Sequence, residues 1–232
     1  MSERLYTDLA SWWPLLAPRE DYDEEAVGLL MAAQEALGRA PTSWLEVGSG
    51  AGHLASHLPE AIEVVLVDRS AEMLDVSRAV NPARRHVCAD LTDLAPSRTF
   101  DVVLLHDVVM YLDREQLAQA LRVAATHLDA GGVLIAVPDC IAESFAEGES
   151  VAGSDRGERG ARIFEWRHSL EGDRFCVDMA LFLRQGSAVE RVTERHTMYA
   201  HGLATWLELI GDAGLTLVGD TPGFVTVKAQ SS

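Results

Sequence analysis

Cysteine, basic charge and long apolar runs are all scarce in this 232-residue chain. Its three cysteines, Cys88, Cys140 and Cys176, are widely spaced and odd in number. That excludes a disulfide framework or a zinc knuckle and fits free thiols in a reducing compartment, so a cytoplasmic protein is expected. Lysine and arginine number 19 against 36 acidic residues, a formal net charge of -17 with a pI near 4.7. A surface that negative repels phosphate backbones and anionic lipid, and no Lys/Arg run compensates, so nucleic acid is excluded as a partner and the charge serves solubility. The longest apolar stretch, Phe100 to Leu112, is broken by Asp101, His106 and Asp107. Nothing approaches the ~20 apolar residues of a membrane helix. The opening Met-Ser-Glu-Arg-Leu-Tyr has no basic segment followed by an apolar one, so no secretory signal is expected.

What is present is the balance of a globular protein: 48% hydrophobic and 24% charged residues, enough for one α/β domain with an embellishment. From residue 43, short β-branched runs alternate with helical patterns, the rhythm of a parallel sheet covered by helices. Strands are expected at Ser43–Val47, Ile62–Val67, Arg85–Ala89, Asp101–Leu105 and Val133–Val137. Leu117, Leu121, Ala124 and Leu128 set a helical stripe that opens near Asp113 and is expected to stop at Gly131-Gly132. Upstream, Glu24–Leu37 reads as a helix with Val27, Leu30, Met31 and Leu37 on one side. After Pro138 the period changes to two. Residues 163–169, 174–184 and 189–198 alternate, most clearly through Phe175, Val177, Met179, Leu181 and Leu183, predicting three antiparallel strands, with 145–160 as a loop. A last helix carries Leu203, Trp206, Leu207 and Ile210. Leu215–Val218 and Phe224–Lys228 then form a hairpin about Thr221-Pro222-Gly223, which makes the last strand antiparallel.

The chemistry-bearing signal is Leu45-Glu46-Val47-Gly48-Ser49-Gly50-Ala51-Gly52, at the end of the first strand. Alternate glycines let the backbone turn tightly and approach a ligand, and loop amides at a helix start favour an anionic group. Asp68 ends the second strand, where a carboxylate can accept both hydroxyls of a ribose. Asp90-Leu91 ends the third, where an acid can accept from an adenine amino group, and His106-Asp107-Val108 ends the fourth. All lie at carboxyl ends of parallel strands, the rim where open α/β sheets bind ligands. Asp101 reads as structural or solvent-facing, Met73 as core or adenine contact, and Ser70 as the cap of the following helix.

In this combination the chain resembles the class I S-adenosylmethionine-dependent methyltransferases over roughly residues 40–140 and 200–230. Glu46, Gly48, Gly50 and Gly52 meet the acid-x-Gly-x-Gly-x-Gly motif, Asp68 the ribose acid, Asp90 the adenine-contacting acid, and Val108 to Tyr111 the stretch that flanks cofactor and acceptor. In layout, the insert and aromatic N-terminal segment also resemble the amino-sugar N-methyltransferases. The resemblance implies a Rossmann-like, doubly wound α/β fold: a mostly parallel seven-stranded sheet with an antiparallel last strand, plus an inserted antiparallel β lid. It implies three parts: an N-terminal helical cap at 1–40, the cofactor domain at 41–140 and 201–232, and an insert at 141–200 serving as acceptor lid or dimer interface. S-adenosyl-L-methionine is the implied cofactor, held by Glu46, Gly48, Ser49, Gly50, Gly52, Asp68, Arg69, Met73, Asp90, Leu91, His106, Asp107 and Val108.

Methyl transfer asks mainly for alignment and a dry pocket, with a base only where the acceptor arrives protonated. His106 is the first candidate for that base, with Asp107, His168 and His196 behind it. Tyr6, Trp12 and Trp13 read equally as a cap over the methyl group or as packing on a sheet. A small-molecule acceptor is expected, an amine slightly ahead of an alcohol, with no metal and a possible homodimer. Three alternatives stand beside this. A nicotinamide dehydrogenase expects Gly or Ala where the chain has His53. A metal-dependent O-methyltransferase would use Asp107 and Asp139, but Cys140 stands where an amide ligand belongs. A non-catalytic S-adenosylmethionine-binding protein is the third.

Overall fold

The computed structural model describes residues 3–94, 98–219 and 225–229. Short 3-10 turns surround α1 (Trp13–Leu16) and lead into α2 (Asp23–Leu37). Then follow β1 (Ser43–Val47), β2 (Glu63–Asp68), α3 (Ala71–Val80), β3 (Arg85–Cys88), β4 (Phe100–His106), α4 (Arg114–Thr126) and β5 (Leu128–Val137). An antiparallel run comprises β6 (Gly148–Ala152), β7 (Asp155–Arg156), β8 (Arg159–Arg167), β9 (Arg174–Gln185) and β10 (Ala188–Tyr199). After it come α5 (Leu203–Asp212), β11 (Leu215–Gly219) and β12 (Val225–Ala229).

The first sheet has the order β11-β12-β5-β4-β1-β2-β3, with β1 to β5 parallel and β12 antiparallel to both β5 and β11. Thr221-Pro222-Gly223, expected as the turn of the closing hairpin, lies outside the described residues. Strand alternation divides the core cleanly. Trp44, Val64, Leu66, Val102, Leu104, Val133 and Ile135 face α2. Leu45, Val47, Val65, Val67, Val103, Leu105 and Leu134 face α4 and α5, where they meet Leu117, Leu121, Ala124, Trp206 and Ile210.

Three expectations need correction. Helix α2 buries Ala26, Leu29 and Ala33, while Val27 and Met31 are 55% and 63% exposed. Its small residues let it sit close on Trp44 and Leu54, so bulk misled the choice of face. Helix α4 ends at Thr126, and Gly131-Gly132 lies within β5, in the register shift opposite Phe100–Val102. A Cβ on Gly132 would lie 3.0 Å from the Phe100 carbonyl oxygen, so the pair serves strand pairing rather than ending a helix. Finally, β6 and β7 fill part of the expected loop. Val151 pairs with Phe164 and Ala152 with Ile163, on an exposed edge too polar to show alternation.

The second sheet, β10-β9-β8-β6 with β7 on β8, turns one apolar face inward. Phe175, Val177, Met179, Leu181 and Leu183 on β9 are buried, against Leu5, Leu9, Leu15 and Leu16 of the chain's own N-terminal segment. That face is therefore occupied within the chain. Ser154 N and Oγ both donate to the Leu15 carbonyl, at 2.7 and 2.9 Å, and Arg159 donates to the Ser11 carbonyl while stacking over Trp12.

Asp101 ties the start of β4 to the entrance of β1. Its carboxylate accepts from Thr42 N at 2.6 Å, Thr42 Oγ1 at 2.8 Å and the Arg39 guanidinium, and the arginine holds it far below the usual carboxylate range. The residue is 3% exposed and structural. D101A leaves those donors unpaired and is expected to cost about 1–3 kcal/mol in urea unfolding. Because the folded carboxyl is depressed, this contribution is present above the ordinary Asp range and is lost as pH falls below it, which unfolding at pH 7 and pH 3 checks.

Candidate active site

The carboxyl ends of β1, β2 and β4 open into a cavity of about 500 Å³. Its wall is built first by the loop after β1, where Gly48 N and Ser49 N donate to the Val67 carbonyl at 2.8 and 2.9 Å. Gly48 has φ +76°, and a Cβ there would lie 2.5 Å from Cβ of Val108. Only glycine lets β1 and the turn after β4 approach so closely. Gly50 N donates to Asp68 Oδ2 at 2.8 Å, and the other Asp68 oxygen accepts from Ser70 N at 2.8 Å. Ser70 caps α3 by accepting from Met73 N, as expected.

Twelve of the thirteen residues expected at the site line this one cavity: Glu46, Gly48, Ser49, Gly50, Asp68, Arg69, Met73, Asp90, Leu91, His106, Asp107 and Val108. Gly52 does not. A Cβ there would lie 2.2 Å from Ser77 Oγ, and its carbonyl accepts from Asn81 Nδ2 at 2.8 Å, so it seats the loop on α3 instead. Asp90 caps the next turn, accepting from Thr92 N at 2.9 Å and Thr92 Oγ1 at 2.7 Å, which holds its carboxyl below the ordinary range. Arg69 pairs with Glu3 at 2.8 Å. Of the N-terminal aromatics, Tyr6 and Trp13 line the cavity and Trp12 does not.

Glu46 is 3% exposed, and its Oε2 has no partner among the described residues. Burial pushes this carboxyl up to about 8, partly offset by His106. Ser49 Oγ is likewise buried and unpartnered. His106 Nε2 lies 2.8 Å from Glu25 Oε1 and Nδ1 lies 3.4 Å from Asp107 Oδ2. Burial alone would lower the imidazole, but the Glu25 hydrogen bond and the charges of Asp107 and Glu46 outweigh it and hold it at about 9. His106 thus lines the cavity as expected, among carboxyl groups that favour its protonated form.

Asp107 adopts φ +56°, in the left-handed region, and its N donates to the Val137 carbonyl at 3.1 Å. Strain of this kind collects at functional sites. Enclosure and the neighbouring Asp139 push its carboxyl upward, although it still opens to solvent in the cavity mouth. His168 bonds Asp178 at 2.7 Å, away from the cavity. The cavity also gathers Glu165 and Met198, which the sequence reading did not single out, together with Tyr22, Tyr111, Asp139 and Met179. Glu165 had a legible signal: it sits at an inward position of β8, paired with Met179 on the apolar face.

The raised imidazole of His106 stabilises the fold fully below pH 6.5, and that share is lost as pH rises through about 9. The wild type is expected to lose about 1–2 kcal/mol more than H106Q between those limits, given the half-exposure of Glu25. Urea unfolding of both proteins across that range measures the difference.

A family model described as a methyltransferase domain matches residues 45–136. No curated protein matches the chain in sequence. Among solved structures, Streptomyces venezuelae DesVI superposes with a TM-score of 0.82 at 22% identity, covering 97% of this chain and 98% of that one. The sugar N-methyltransferase KedS8 from a Streptoalloteichus species gives 0.81 at 21% identity, covering 97% and 92%. S-adenosylmethionine-bound CalS10 from Micromonospora echinaspora, an amino pentose methyltransferase, gives 0.76 at 18% identity, covering 90% and 92%. At such identities the structural likeness speaks for the fold; the domain match at the glycine loop and strand ends speaks for the chemistry. Residues 45–136 thus match a methyltransferase domain, and the chain has the fold of S-adenosylmethionine-dependent methyltransferases.

Proposed function

We propose that the chain methylates the nitrogen of a small amine, an amino sugar being the acceptor class that fits best. The observation that carries this is the acidic make-up of the cavity wall: Glu3, Glu46, Asp68, Asp90, Asp107, Asp139 and Glu165 face it, against Arg69 and His106 as the basic groups. A lining so rich in carboxylates favours cationic ligands and disfavours anionic ones. The names of KedS8, a sugar N-methyltransferase, and CalS10, an amino pentose methyltransferase, agree with that choice.

Cofactor and cavity fit on this chain's own features. The unpartnered, buried Glu46 Oε2 is an acceptor waiting for an ammonium group, and the missing Cβ of Gly48 leaves the loop flush with Val108. In this reading Glu46 with the Gly48–Ser49–Gly50 amides holds the methionine end, Asp68 the ribose hydroxyls, and Asp90 with Leu91 and Met73 the adenine. Arg69, His106, Asp107 and Val108 complete the wall. S-adenosylmethionine supplies an electrophilic methyl group on sulfur. The protein's part is to orient the acceptor in line, keep water out and receive any proton the acceptor carries. The antiparallel sheet and the N-terminal segment through Tyr22 form the acceptor half, covering the opening as a lid. No three His, Cys, Asp or Glu side chains among the described residues converge as a metal site, so activity is expected to persist in EDTA.

Two variants test the cofactor assignments. Glu46 keeps its proton to about pH 8 in the fold, so it costs stability progressively between pH 4.5 and 8. E46Q is expected to raise the melting temperature of the free protein at pH 8 while weakening cofactor binding at least tenfold. D68A is expected to weaken binding by ~1–3 kcal/mol; unchanged calorimetric affinity removes the ribose role. For the acceptor, methyl-labelled S-adenosylmethionine is offered with matched pairs such as glucosamine and glucose. Label is expected in the amine of each pair, and label confined to alcohols overturns the nitrogen assignment.

A further inference from the structure

We infer that Tyr6, Tyr111, His196 and Glu194 form a polarised hydrogen-bond chain that receives the proton of an ammonium acceptor at Tyr6 and stores it on His196. This rests on the amine reading above. Tyr6 Oη lies 2.7 Å from Tyr111 Oη, Tyr111 Oη lies 3.0 Å from His196 Nδ1, and His196 Nε2 lies 2.9 Å from Glu194 Oε2. Tyr6 and Tyr111 line the cavity, whereas the side chains of His196 and Glu194 are only 1% and 9% exposed.

The direction of the chain follows from what each group can donate. A carboxylate only accepts, so Glu194 draws the imidazole proton to Nε2. The neutral ring then offers a bare Nδ1, which accepts from the Tyr111 hydroxyl. The Tyr111 oxygen in turn accepts from Tyr6, whose own proton therefore points away from the acceptor. What Tyr6 shows the cavity is lone pairs, the complement of an ammonium N–H. Transfer runs by three short shifts: the ammonium proton to Tyr6 Oη, the Tyr6 proton to Tyr111 Oη, the Tyr111 proton to His196 Nδ1. The amine is left neutral with its lone pair free, and His196 becomes an imidazolium against the Glu194 carboxylate. Charge is conserved at each stage.

Three further features support this assignment. Glu194 Oε1 is buried without a partner among the described residues, so the carboxylate is kept at a cost, and its other oxygen meets His196. That is the arrangement of a base oriented by a third group. Glu194 and His196 lie two apart on β10, opposite Met179 and Val177, so both turn to the apolar inner face where an ionisable pair has no structural reason to be. Tyr6 is pinned at the seam between the two halves of the site: its carbonyl accepts from Ser70 Oγ, and its ring lies 5.5 Å from Trp13 and 5.9 Å from both Tyr111 and His196. Burial keeps both phenols neutral, which suits them to pass a proton rather than hold one. His106, already protonated, has no lone pair to compete.

The test uses full-length protein with 15N-labelled histidine, bound to S-adenosylhomocysteine. At pH 7.5 His196 is expected as the neutral tautomer protonated at Nε2. Y111F should shift the Nδ1 resonance as its hydrogen bond is lost, and E194L, which removes the acceptor at Nε2, should weaken the tautomer preference. An Nδ1-protonated ring in the wild type, or a tautomer indifferent to E194L, overturns the proposal. Transfer to glucosamine, the probe acceptor, gives the second readout. Y6F, which removes one oxygen at the cavity edge, and H196Q are each expected to lower kcat ~10²- to 10³-fold with the cofactor Kd unchanged. The solvent-deuterium proton inventory should be curved in the wild type and linear in Y6F. Y6F within threefold of wild type also overturns it. Failure of the wild type to methylate any amine counts against the amine reading alone, because the imidazole spectra decide the hydrogen-bond polarity without an acceptor.

Discussion

The approach of Gly48 to Val108 sets the geometry of everything at the carboxyl edge of the parallel sheet. The Cβ that glycine lacks would fall 2.5 Å from the valine side chain, so the loop after β1 and the turn after β4 are in van der Waals contact there. Two features accompany that contact. The turn after β4 runs through the left-handed backbone of Asp107, whose side chain lines the cavity. The loop after β1 is held flat enough for Gly50 N to reach Asp68 across the strand ends. The glycine loop, Asp68 and the turn after β4 are thus not independent parts but one packed unit.

Around this unit the protein accumulates negative charge in a place where burial opposes it. Glu46 and Asp107 are both pushed upward, and the cluster is tolerated because His106 sits among Glu25, Glu46 and Asp107 as a fixed cation. The balance is local and incomplete: Glu46 retains an unpaired oxygen. A buried carboxyl with an unpaired oxygen costs the fold stability rather than adding to it.

Much of this was legible in the sequence because the parallel half obeys simple rules. Strand runs such as Ser43–Val47 are set by continuous burial, and the glycine loop and strand-end acids occur at spacings that leave few other arrangements. The face of α2 was misjudged because alanine packing carries no hydrophobic bulk, and Gly131-Gly132 because a bulge and a helix stop use the same residue. At the site, Gly52 was misread for a related reason: close backbone packing on α3 asks for the same glycine that a ligand would. The raised imidazole of His106 could not be read, since Glu25 approaches it from a helix 81 residues away in sequence. Glu165 and His196 were more accessible than they looked, as ionisable residues on the inward phase of otherwise apolar strands.

The seating of the N-terminal segment on the second sheet has a consequence for biosynthesis. Leu5, Leu9, Leu15 and Leu16 leave the ribosome early, yet the surface that covers them is made from Ala161 through Val192. The parallel strands β1 to β5 can pair in between, while these leucines still lack the inner face of the second sheet. This side of the cavity is therefore completed only when residues 5–16 and 161–192 meet, and the nascent chain carries an exposed apolar segment until then. Such a chain gains from a chaperone or from slow early engagement, and its catalytic competence appears as a late folding event rather than with the first compact state.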